Sequence, residues 1–349
     1  MRPTRPYERR LRVLVVDDSL FMRAAIAKLL TDDGRFDVIG QAKDGEDAVA
    51  RAVQLQPDVV TMDFNMPRMN GADAVRAIME RRPTPVIMFS AHTRQGAKET
   101  FEALSAGAVD FVTKPGGEVS ADLRAIADEL VGKVLAAAGA TPQALAPIRQ
   151  AKPSRPVLLT TWPPSGPRVL VIAVSTGGPS ALQRLIPALP ADTRFSALIV
   201  QHMPANFTTT LAERLNAISA VTVREARDGD RPIAGVVYVA PGGRHLEVSE
   251  RGFLRLGDGV PVNGCRPSAD VTMAGAARAF GARAIGLVMT GMGKDGAAGL
   301  AAIKQAEGVT LAQDKQSSVI FGMPKAAIDA GVVDEILPLD QIARRLTEL

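Results

Sequence analysis

The chain has 349 residues, of which 46% are hydrophobic and 22% are charged, a composition typical of folded globular domains. This length exceeds that of one ordinary hydrophobic core, so we expect two domains. The formal net charge is only +4, and the sequence contains no helix-turn-helix pattern, zinc-ligand spacing or basic–aromatic stripe, which argues against a nucleic-acid partner.

The N-terminal segment is basic, but it does not have the pattern of a targeting signal. The apolar run that follows it stops at Asp17 and Asp18, which argues against a secretory signal peptide. No apolar stretch elsewhere approaches the roughly 20 residues that a membrane-spanning helix needs. We therefore expect no direct insertion into a membrane.

The first half of the chain alternates apolar strand candidates with amphipathic helical segments. Leu11–Val16 is a continuous apolar run, and Ser19 is a candidate N-cap for a helix. The apolar residues on one face of that helix are Leu20, Ala24, Ala27 and Leu30. Four more strand candidates follow, at residues 38–39, 59–60, 86–89 and 109–112. Five strands alternating with helices predict an α/β fold, a (βα)5 unit with a five-stranded parallel sheet and helices on both faces.

Polar residues follow the ends of these predicted strands. Asp17 and Asp18 come after the first strand, Asp63 after the third, Ser90 after the fourth and Lys114 after the fifth. Carboxyl ends of parallel strands share one edge of a sheet, so these side chains should lie close together. Three carboxylates suit a magnesium ion, and one of them could act as a nucleophile toward a phosphoryl group. A lysine and a serine could then bind the phosphoryl oxygens.

The motifs VLVVDDS, TMDFNMPRMNG, FSA and FVTKP resemble the receiver domain of response regulators. The resemblance implies that Asp63 is the phosphoacceptor and that Asp17, Asp18 and Asp63 bind Mg²⁺. It also implies a histidine kinase as phosphodonor. The residues that it implies as sensors of the phosphoryl group are Ser90, Lys114 and the aromatic switch residue Phe111. His92 departs from the pattern, and we assign it no role.

A change in composition separates the two halves of the chain. Residues 134–166 are rich in alanine and proline, and proline at this density prevents helix continuation. We interpret residues 134–166 as an interdomain linker between a receiver domain at 10–133 and a second domain at 167–349.

The second half repeats the α/β pattern. Strand candidates lie at residues 168–174, 197–200, 236–239, 284–289 and 309–312, and helical segments at 179–188, 206–218, 269–280 and 296–306. The pattern predicts a doubly wound α/β domain. Residues 220–260 contain more glycine and short β-like runs, so we expect a small antiparallel excursion there.

Three of these strands end in residues that could form a hydrolytic triad. Ser175 begins a Ser-Thr-Gly-Gly-Pro turn between strand and helix, a geometry that exposes a nucleophile beside backbone N–H groups. His202 follows the next strand and could act as general base. Asp295 follows the strand at 284–289 and could orient the imidazole, while the Met292 N–H is a candidate oxyanion donor.

The remaining histidine and the single cysteine have weaker cases. His245 follows a Pro-Gly-Gly turn and is less clearly placed at the catalytic edge, so we expect a structural role. Cys265 has no partner for an internal disulfide, which indicates a reducing, cytoplasmic location and favours a buried or incidental thiol.

The second half as a whole resembles the CheB family, the protein-glutamate methylesterases of bacterial chemotaxis. The similarity rests on VSTGGP, QHMP, APGGRH, RPSAD, TGMGKDGAAGL and QDKQSSVIFGMPKAAI, although VTMAG replaces the usual run after RPSAD. The resemblance implies Ser175, His202 and Asp295 as the triad, Thr176 as a residue that positions the histidine, and Met292 at the oxyanion hole. It implies no cofactor for the esterase reaction.

The function implied by this resemblance is hydrolysis of glutamate methyl esters on a methyl-accepting chemoreceptor, with release of methanol. Deamidation of receptor glutamines through the same intermediate is also expected. We expect phosphorylation of the receiver domain to relieve a restriction of access to the catalytic edge. Two alternatives remain, a phosphorylation-dependent adaptor with a vestigial triad and a DNA-binding response regulator.

Overall fold

The computed structural model describes residues 9–91, 93–114, 126–140 and 168–349. The chain divides into two compact units, Met1–Pro147 and Ile148–Leu349, each with its own sheet. The first four residues of the predicted linker, 134–137, belong to a helix, whereas residues 141–166 and His92 lie outside the described residues. The predicted domain boundaries therefore stay predictions.

The first unit has five strands and five described helices. Its strands are β1 (Leu11–Val16), β2 (Phe36–Ala42), β3 (Val59–Asp63), β4 (Val86–Ala91) and β5 (Asp110–Lys114). Its helices are α1 (Leu20–Asp33), α2 (Gly45–Leu55), α3 (Gly71–Arg81), α4 (Arg94–Ala106) and α5 (Ala127–Ala137). All strands are parallel in the order β2-β1-β3-β4-β5, which confirms the predicted (βα)5 sheet.

Side-chain caps determine where the helices of this unit begin. The side chains of Ser19, Asp44, Asn70 and Thr93 accept hydrogen bonds from backbone N–H groups of the first turns of α1 to α4. Such caps satisfy amide groups that have no partner within the helix. The predicted cap at Ser19 is therefore confirmed.

The predicted apolar face of α1 is wrong in its first turns. Leu20 is 72% exposed and Ala24 is exposed, whereas Ile26 and Leu30 are buried. The helix starts beyond the carboxyl end of β1, so its first turn has no strand beneath it. Packing against the sheet begins only further along the helix.

The described part of the second unit, residues 168–349, has nine strands and six α-helices. Its strands are β6 (Arg168–Val174), β7 (Phe195–Gln201), β8 (Thr222–Glu225), β9 (Val236–Val239), β10 (His245–Val248), β11 (Leu254–Gly257), β12 (Ala284–Val288), β13 (Val309–Gln313) and β14 (Glu335–Leu337). Its α-helices are α6 (Gly178–Leu185), α7 (Ala205–Ile218), α8 (Ala269–Phe280), α9 (Ala297–Gln305), α10 (Gly322–Asp329) and α11 (Leu339–Glu348).

Seven of these strands form one parallel sheet in the order β14-β13-β12-β6-β7-β9-β8. The expected antiparallel excursion is confirmed for β10 and β11, which pair antiparallel. It is wrong for β8 and β9, which join the edge of the parallel sheet instead. Short β-like runs do not reveal by themselves which strands they pair with, because pairing is decided by contacts distant in sequence.

The central position of β6 places the second unit's candidate residues. Its neighbours are β12 on one side and β7 on the other, and the residues of β6 after Arg168 are fully buried. The ends of these three strands therefore meet at one edge of the sheet. Within the described ranges, no helix has both the length and the apolar character needed to cross a bilayer.

Burial in the second sheet predicts a large difference between two isoleucines. Ile199 in β7 is fully buried, whereas Ile336 in β14 is 50% exposed. Ile199→Ala should lower the free energy of unfolding of this unit by about 2–5 kcal/mol, because a buried cavity remains. Ile336→Ala is the matched control and should change it by less than about 1 kcal/mol. Denaturant unfolding measures both, and equal losses would contradict the burial pattern.

Candidate active site

Three strand ends bring the candidate residues of the second unit together. Val174 pairs with Gln201, so Ser175 and His202 are the next residues on adjacent parallel strands. The His202 N–H donates to the Val174 carbonyl at 3.2 Å. On the other side, the Ser175 N–H donates to the Thr290 carbonyl at 3.0 Å. Ser175 therefore lies between the segment that carries His202 and the turn that leads to Asp295.

Two glycines allow the turns at this edge to approach closely. Gly177 has φ of 76°, and a Cβ built there would meet Val319 Cβ at 2.6 Å. A Cβ on Gly291 would lie 2.9 Å from Ser175 Cβ and would clash with Met323 Sδ. Because neither position has room for a side chain, only glycine allows the serine turn to pack against the 290–293 turn.

His202 and Asp295 are directly hydrogen-bonded. Nε2 of the mostly buried imidazole lies 2.8 Å from Asp295 Oδ2. The other ring nitrogen, Nδ1, lies 3.6 Å from the Cys265 sulfur. Within the described part of the chain, no hydrogen bond joins Ser175 Oγ to His202. The structure thus pairs two members of the predicted triad and places the third on the neighbouring strand end.

The carboxylate of Asp295 is 2% exposed and is surrounded by hydrogen-bond donors. The donors to Oδ2 are His202 Nε2 at 2.8 Å and Ala269 N at 2.7 Å, and those to Oδ1 are Ser268 Oγ at 2.6 Å, Asp270 N at 3.3 Å and Asn263 Nδ2 at 3.3 Å. The two backbone donors belong to the first turn of α8, where the helix dipole also favours negative charge. A buried carboxylate with this many donors keeps its charge.

The titration of this pair is shifted toward the charged forms. Burial opposes charge on Asp295, but hydrogen bonds from His202 and Ser268 outweigh it and lower the pKa of the carboxyl group. Burial likewise opposes charge on the imidazole, but hydrogen bonds to Asp295 and Cys265 raise the pKa of His202. Asp295 therefore stabilises an imidazolium, the form that His202 would take after removing a proton from serine.

The two supporting residues predicted from the sequence, Met292 and Thr176, differ in exposure and in hydrogen bonding. Met292 is 50% exposed, and none of the described residues accepts a hydrogen bond from its N–H, so this group is available as a donor. Thr176 is buried, and its carbonyl accepts from Thr290 Oγ1 at 2.9 Å. No hydrogen bond between Thr176 and His202 occurs among the residues that the structure describes, so its positioning role stays a prediction.

Two buried glutamines that we did not predict support the turns. Gln201 Nε2 at the end of β7 donates to the Ser175 carbonyl at 3.0 Å. Gln313 Oε1 at the end of β13 accepts from the Thr290 N–H at 2.8 Å. Each side chain links the end of its own strand to the turn after another strand. A polar residue that ends an apolar strand was the available sequence signal.

The surroundings of Asp295 were also missed. Ser268 and Asn263 donate to its carboxylate, and Cys265, predicted to be buried or incidental, is partly exposed and in contact with the His202 ring. The Ser-Ala-Asp run at the start of a predicted helix was the signal for the first of these. The loop at residues 258–267 offered no comparable pattern.

The first unit gathers its predicted acidic residues at one edge. Asp17, Asp18 and Asp63 each contribute one carboxylate oxygen to a cluster in which these three atoms lie within 4.8 Å of one another. Lys114 Nζ lies 2.8 Å from Asp63 Oδ1 and 3.1 Å from Asp17 Oδ2. This all-oxygen donor set fits a magnesium ion, because hard divalent cations prefer carboxylate ligands.

The positive charge of Lys114 compensates the negative charges of this pocket only in part. Burial raises the pKa of Asp63 to about 6, and the ammonium group of Lys114 opposes this effect only in part. Burial disfavours the charged form of Lys114 too, but its contacts with Asp63 and Asp17 raise the pKa of the lysine. The pocket therefore favours the arrival of additional positive charge.

The two remaining predicted residues of this unit, Ser90 and Phe111, are both buried. Ser90 Oγ donates to the Gly96 carbonyl at 2.9 Å and accepts from Thr100 Oγ1 at 2.6 Å. Phe111 is buried in β5, its carbonyl accepts from Lys133 Nζ at 2.5 Å, and the same Nζ lies 5.1 Å from the ring centroid. Their roles in sensing a phosphoryl group stay predictions.

Comparison with known proteins identifies relatives for both units. The family model described as CheB methylesterase matches residues 170–346, and that of the response regulator receiver domain matches residues 13–126. The chain is 47% identical to the protein-glutamate methylesterase/protein-glutamine glutaminase of Symbiobacterium thermophilum, over 97% of each chain. It is 43% identical to the protein of the same name from Thermotoga maritima, over 98% of this chain and 99% of that one.

A solved structure supports the same relationship for the second unit. The crystal structure of the Thermotoga maritima CheB methylesterase catalytic domain matches with a TM-score of 0.51 and 41% sequence identity. The match covers 52% of this chain and 98% of that chain. The α/β fold predicted for the second half of the chain is therefore confirmed.

The raised pKa of His202 predicts a pH-dependent rate. Hydrolysis needs the deprotonated imidazole, so the rate should rise with pH through a value above the ordinary histidine pKa of about 6.5. Asp295→Asn removes the carboxylate charge, so it should move this rise to lower pH and decrease kcat about 10³- to 10⁴-fold. A pH–rate profile of ester hydrolysis measures both effects.

The exposed Asp329→Asn on α10 is the control for loss of one negative charge, and it should leave the profile unchanged. An Asp295→Asn profile with the same midpoint as the unmodified protein would contradict the role given to this contact.

Proposed function

Since the chain belongs to the CheB methylesterase family, we propose that it is a phosphorylation-regulated protein-glutamate methylesterase that acts on a chemoreceptor. The observation that carries this proposal is the 2.8 Å contact between His202 and the buried Asp295, at the strand end next to Ser175. A serine, an imidazole and a carboxylate in this order are the groups that acyl-transfer chemistry requires.

The first half of the reaction forms an acyl-enzyme. Ser175 Oγ attacks the carbonyl carbon of the γ-methyl ester, and Nδ1 of His202 takes the hydroxyl proton. The Met292 N–H donates to the oxygen that becomes negative in the tetrahedral intermediate. The intermediate then collapses, the imidazolium gives its proton to the methoxy oxygen, and methanol leaves.

The second half regenerates the serine. Water attacks the glutamyl ester of Ser175 while His202 accepts one of its protons. The second tetrahedral intermediate then collapses, the imidazolium returns that proton to Ser175 Oγ, and the γ-carboxylate of glutamate is released. A glutamine side chain can follow the same course with ammonia as leaving group. The relatives carry protein-glutamine glutaminase in their names, which supports this second activity.

The first unit provides regulation by phosphorylation. Asp63 would accept the phosphoryl group from a histidine kinase, and Asp17, Asp18 and Asp63 would hold a magnesium ion. The ion, when bound, neutralises charge on the phosphoryl oxygens. Lys114 supplies a second positive charge beside Asp63, and Ser90 and Phe111 would respond to the modification. The all-oxygen cluster and the incompletely compensated charge of Asp63 support this assignment.

The role of Ser175 is tested by removing its hydroxyl group. Ser175→Ala should abolish methanol release from methylated receptor, because it removes the hydroxyl group that forms the acyl-enzyme. The matched control is Ser180→Ala, a serine of the adjoining helix α6 that takes no part in the proposed reaction, and it should retain activity. Methanol release by Ser175→Ala at the unmodified rate would favour an adaptor with a vestigial triad.

The role of Asp63 is tested with a small-molecule phosphodonor. Acetyl phosphate and Mg²⁺ should raise the esterase rate of the full chain, and chelation of Mg²⁺ with EDTA should prevent this increase. Asp63→Asn should lose the increase and keep the basal rate, because only the phosphoacceptor is removed. Asp32→Asn, an exposed change on α1, is the control and should respond normally. Activation of Asp63→Asn would refute the assignment.

A further inference from the structure

Ser268 makes the shortest contact to the Asp295 carboxylate. Its Oγ donates to Asp295 Oδ1 at 2.6 Å, in the range of a charge-assisted O–H···O⁻ bond. Both residues are buried, and the other two donors to Oδ1 lie at 3.3 Å. Without the serine hydroxyl, that oxygen would keep only these two longer contacts.

The Ser268 side chain does not cap the helix that follows it, although serine is a common N-cap residue. Ser268 is the N-cap residue of α8, yet its side chain makes no capping hydrogen bond to its own helix. The N–H groups of Ala269 and Asp270 are instead satisfied by Asp295. The Ser268 hydroxyl therefore donates to the Asp295 carboxylate, and this carboxylate, instead of Ser268, accepts the hydrogen bonds from the first N–H groups of α8.

His245 forms a hydrogen bond with the backbone of Ser268. The buried His245 ring accepts from the Ser268 N–H through Nδ1 at 3.2 Å. Its Nε2 lies 2.9 Å from the Val260 carbonyl. A carbonyl partner requires an N–H, and an amide N–H requires a lone pair, so these two partners select the uncharged tautomer with the proton on Nε2. The structural role expected for His245 is therefore to fix the position of Ser268.

We propose that Ser268 is a positioning residue for the hydrolytic reaction: its hydroxyl orients the Asp295 carboxylate so that Oδ2 faces His202 Nε2, and His245 holds the serine in place. The contacts run in series, from His245 to Ser268, from Ser268 to Asp295 and from Asp295 to His202. The inference rests on the proposed esterase function and extends it to two motifs, APGGRH and RPSAD, that the triad itself does not use.

The test compares two buried hydroxyl groups at the start of α8. Ser268→Ala removes the donor to Asp295. Thr272→Val removes a hydroxyl that donates to the Leu246 carbonyl at 2.5 Å and lies 3.4 Å from the Ser268 carbonyl but does not touch the triad. In the full chain, Ser268→Ala should decrease kcat for methanol release about 10- to 100-fold with little change in KM. Thr272→Val should keep kcat, and Ser268→Thr, which retains the hydroxyl, should recover most of the loss.

A second measurement does not depend on activity. The His202 Nε2 proton that faces Asp295 should give a low-field proton NMR resonance, and Ser268→Ala should shift or broaden it, whereas Thr272→Val should not. If the unmodified protein releases no methanol, the esterase proposal fails, and this resonance still decides the positioning role. An unmodified kcat together with an unmodified resonance in Ser268→Ala would overturn the inference.

A double-mutant cycle determines whether Ser268 acts through Asp295. In an Asp295→Asn background, Ser268→Ala should have little further effect on kcat, because the oriented carboxylate is already absent. An equal loss in both backgrounds would mean that the serine acts by another route and would also overturn the inference.

Discussion

The buried negative charge of Asp295 is the constraint on which the arrangement of the second unit depends. A carboxylate that is nearly inaccessible to water is tolerated only where donors replace its hydration. These donors come from separate parts of the chain: the start of α8, the loop before it and the end of β7. Satisfying one charge therefore requires these segments to meet, and their meeting brings His202 to the strand end beside Ser175.

The first unit also contains a buried carboxylate, but the pKa of that carboxyl group is shifted in the opposite direction. Asp63 is also buried at the carboxyl end of a parallel strand, but Lys114 compensates its charge only in part, and the pKa of Asp63 is raised. Asp295 has donors on both oxygens, and its pKa is lowered. The lowered pKa of Asp295 favours the charged carboxylate, which is suited to orienting an imidazole, whereas Asp63 is suited to receiving a cation and a phosphoryl group.

The sequence predicted the five strands of the first sheet and five of the seven strands of the second, because most buried parallel strands are apolar runs that stop at a polar residue. It did not predict strand β14 or the helices α10 and α11. The same regularity located Ser175, His202 and Asp63, which directly follow or end such runs. The prediction failed where burial and pairing depend on distant neighbours. The first turn of α1 is exposed, and β8 and β9 join the main parallel sheet instead of the antiparallel excursion expected for residues 220–260. It also missed Gln201 and Gln313, whose contacts cross from one strand to another.

The sequence by itself determined most of the strands and helices and their order, the polar residues that follow the predicted strands and, through its motifs, the family. These features are local, since they depend on periodicity and on which residue follows an apolar run. Only the tertiary structure decided which imidazole nitrogen faces Asp295 and that Ser268 and His245 stand behind this carboxylate. Such contacts join residues tens of positions apart, and their existence depends on strand order and register, which no local pattern specifies.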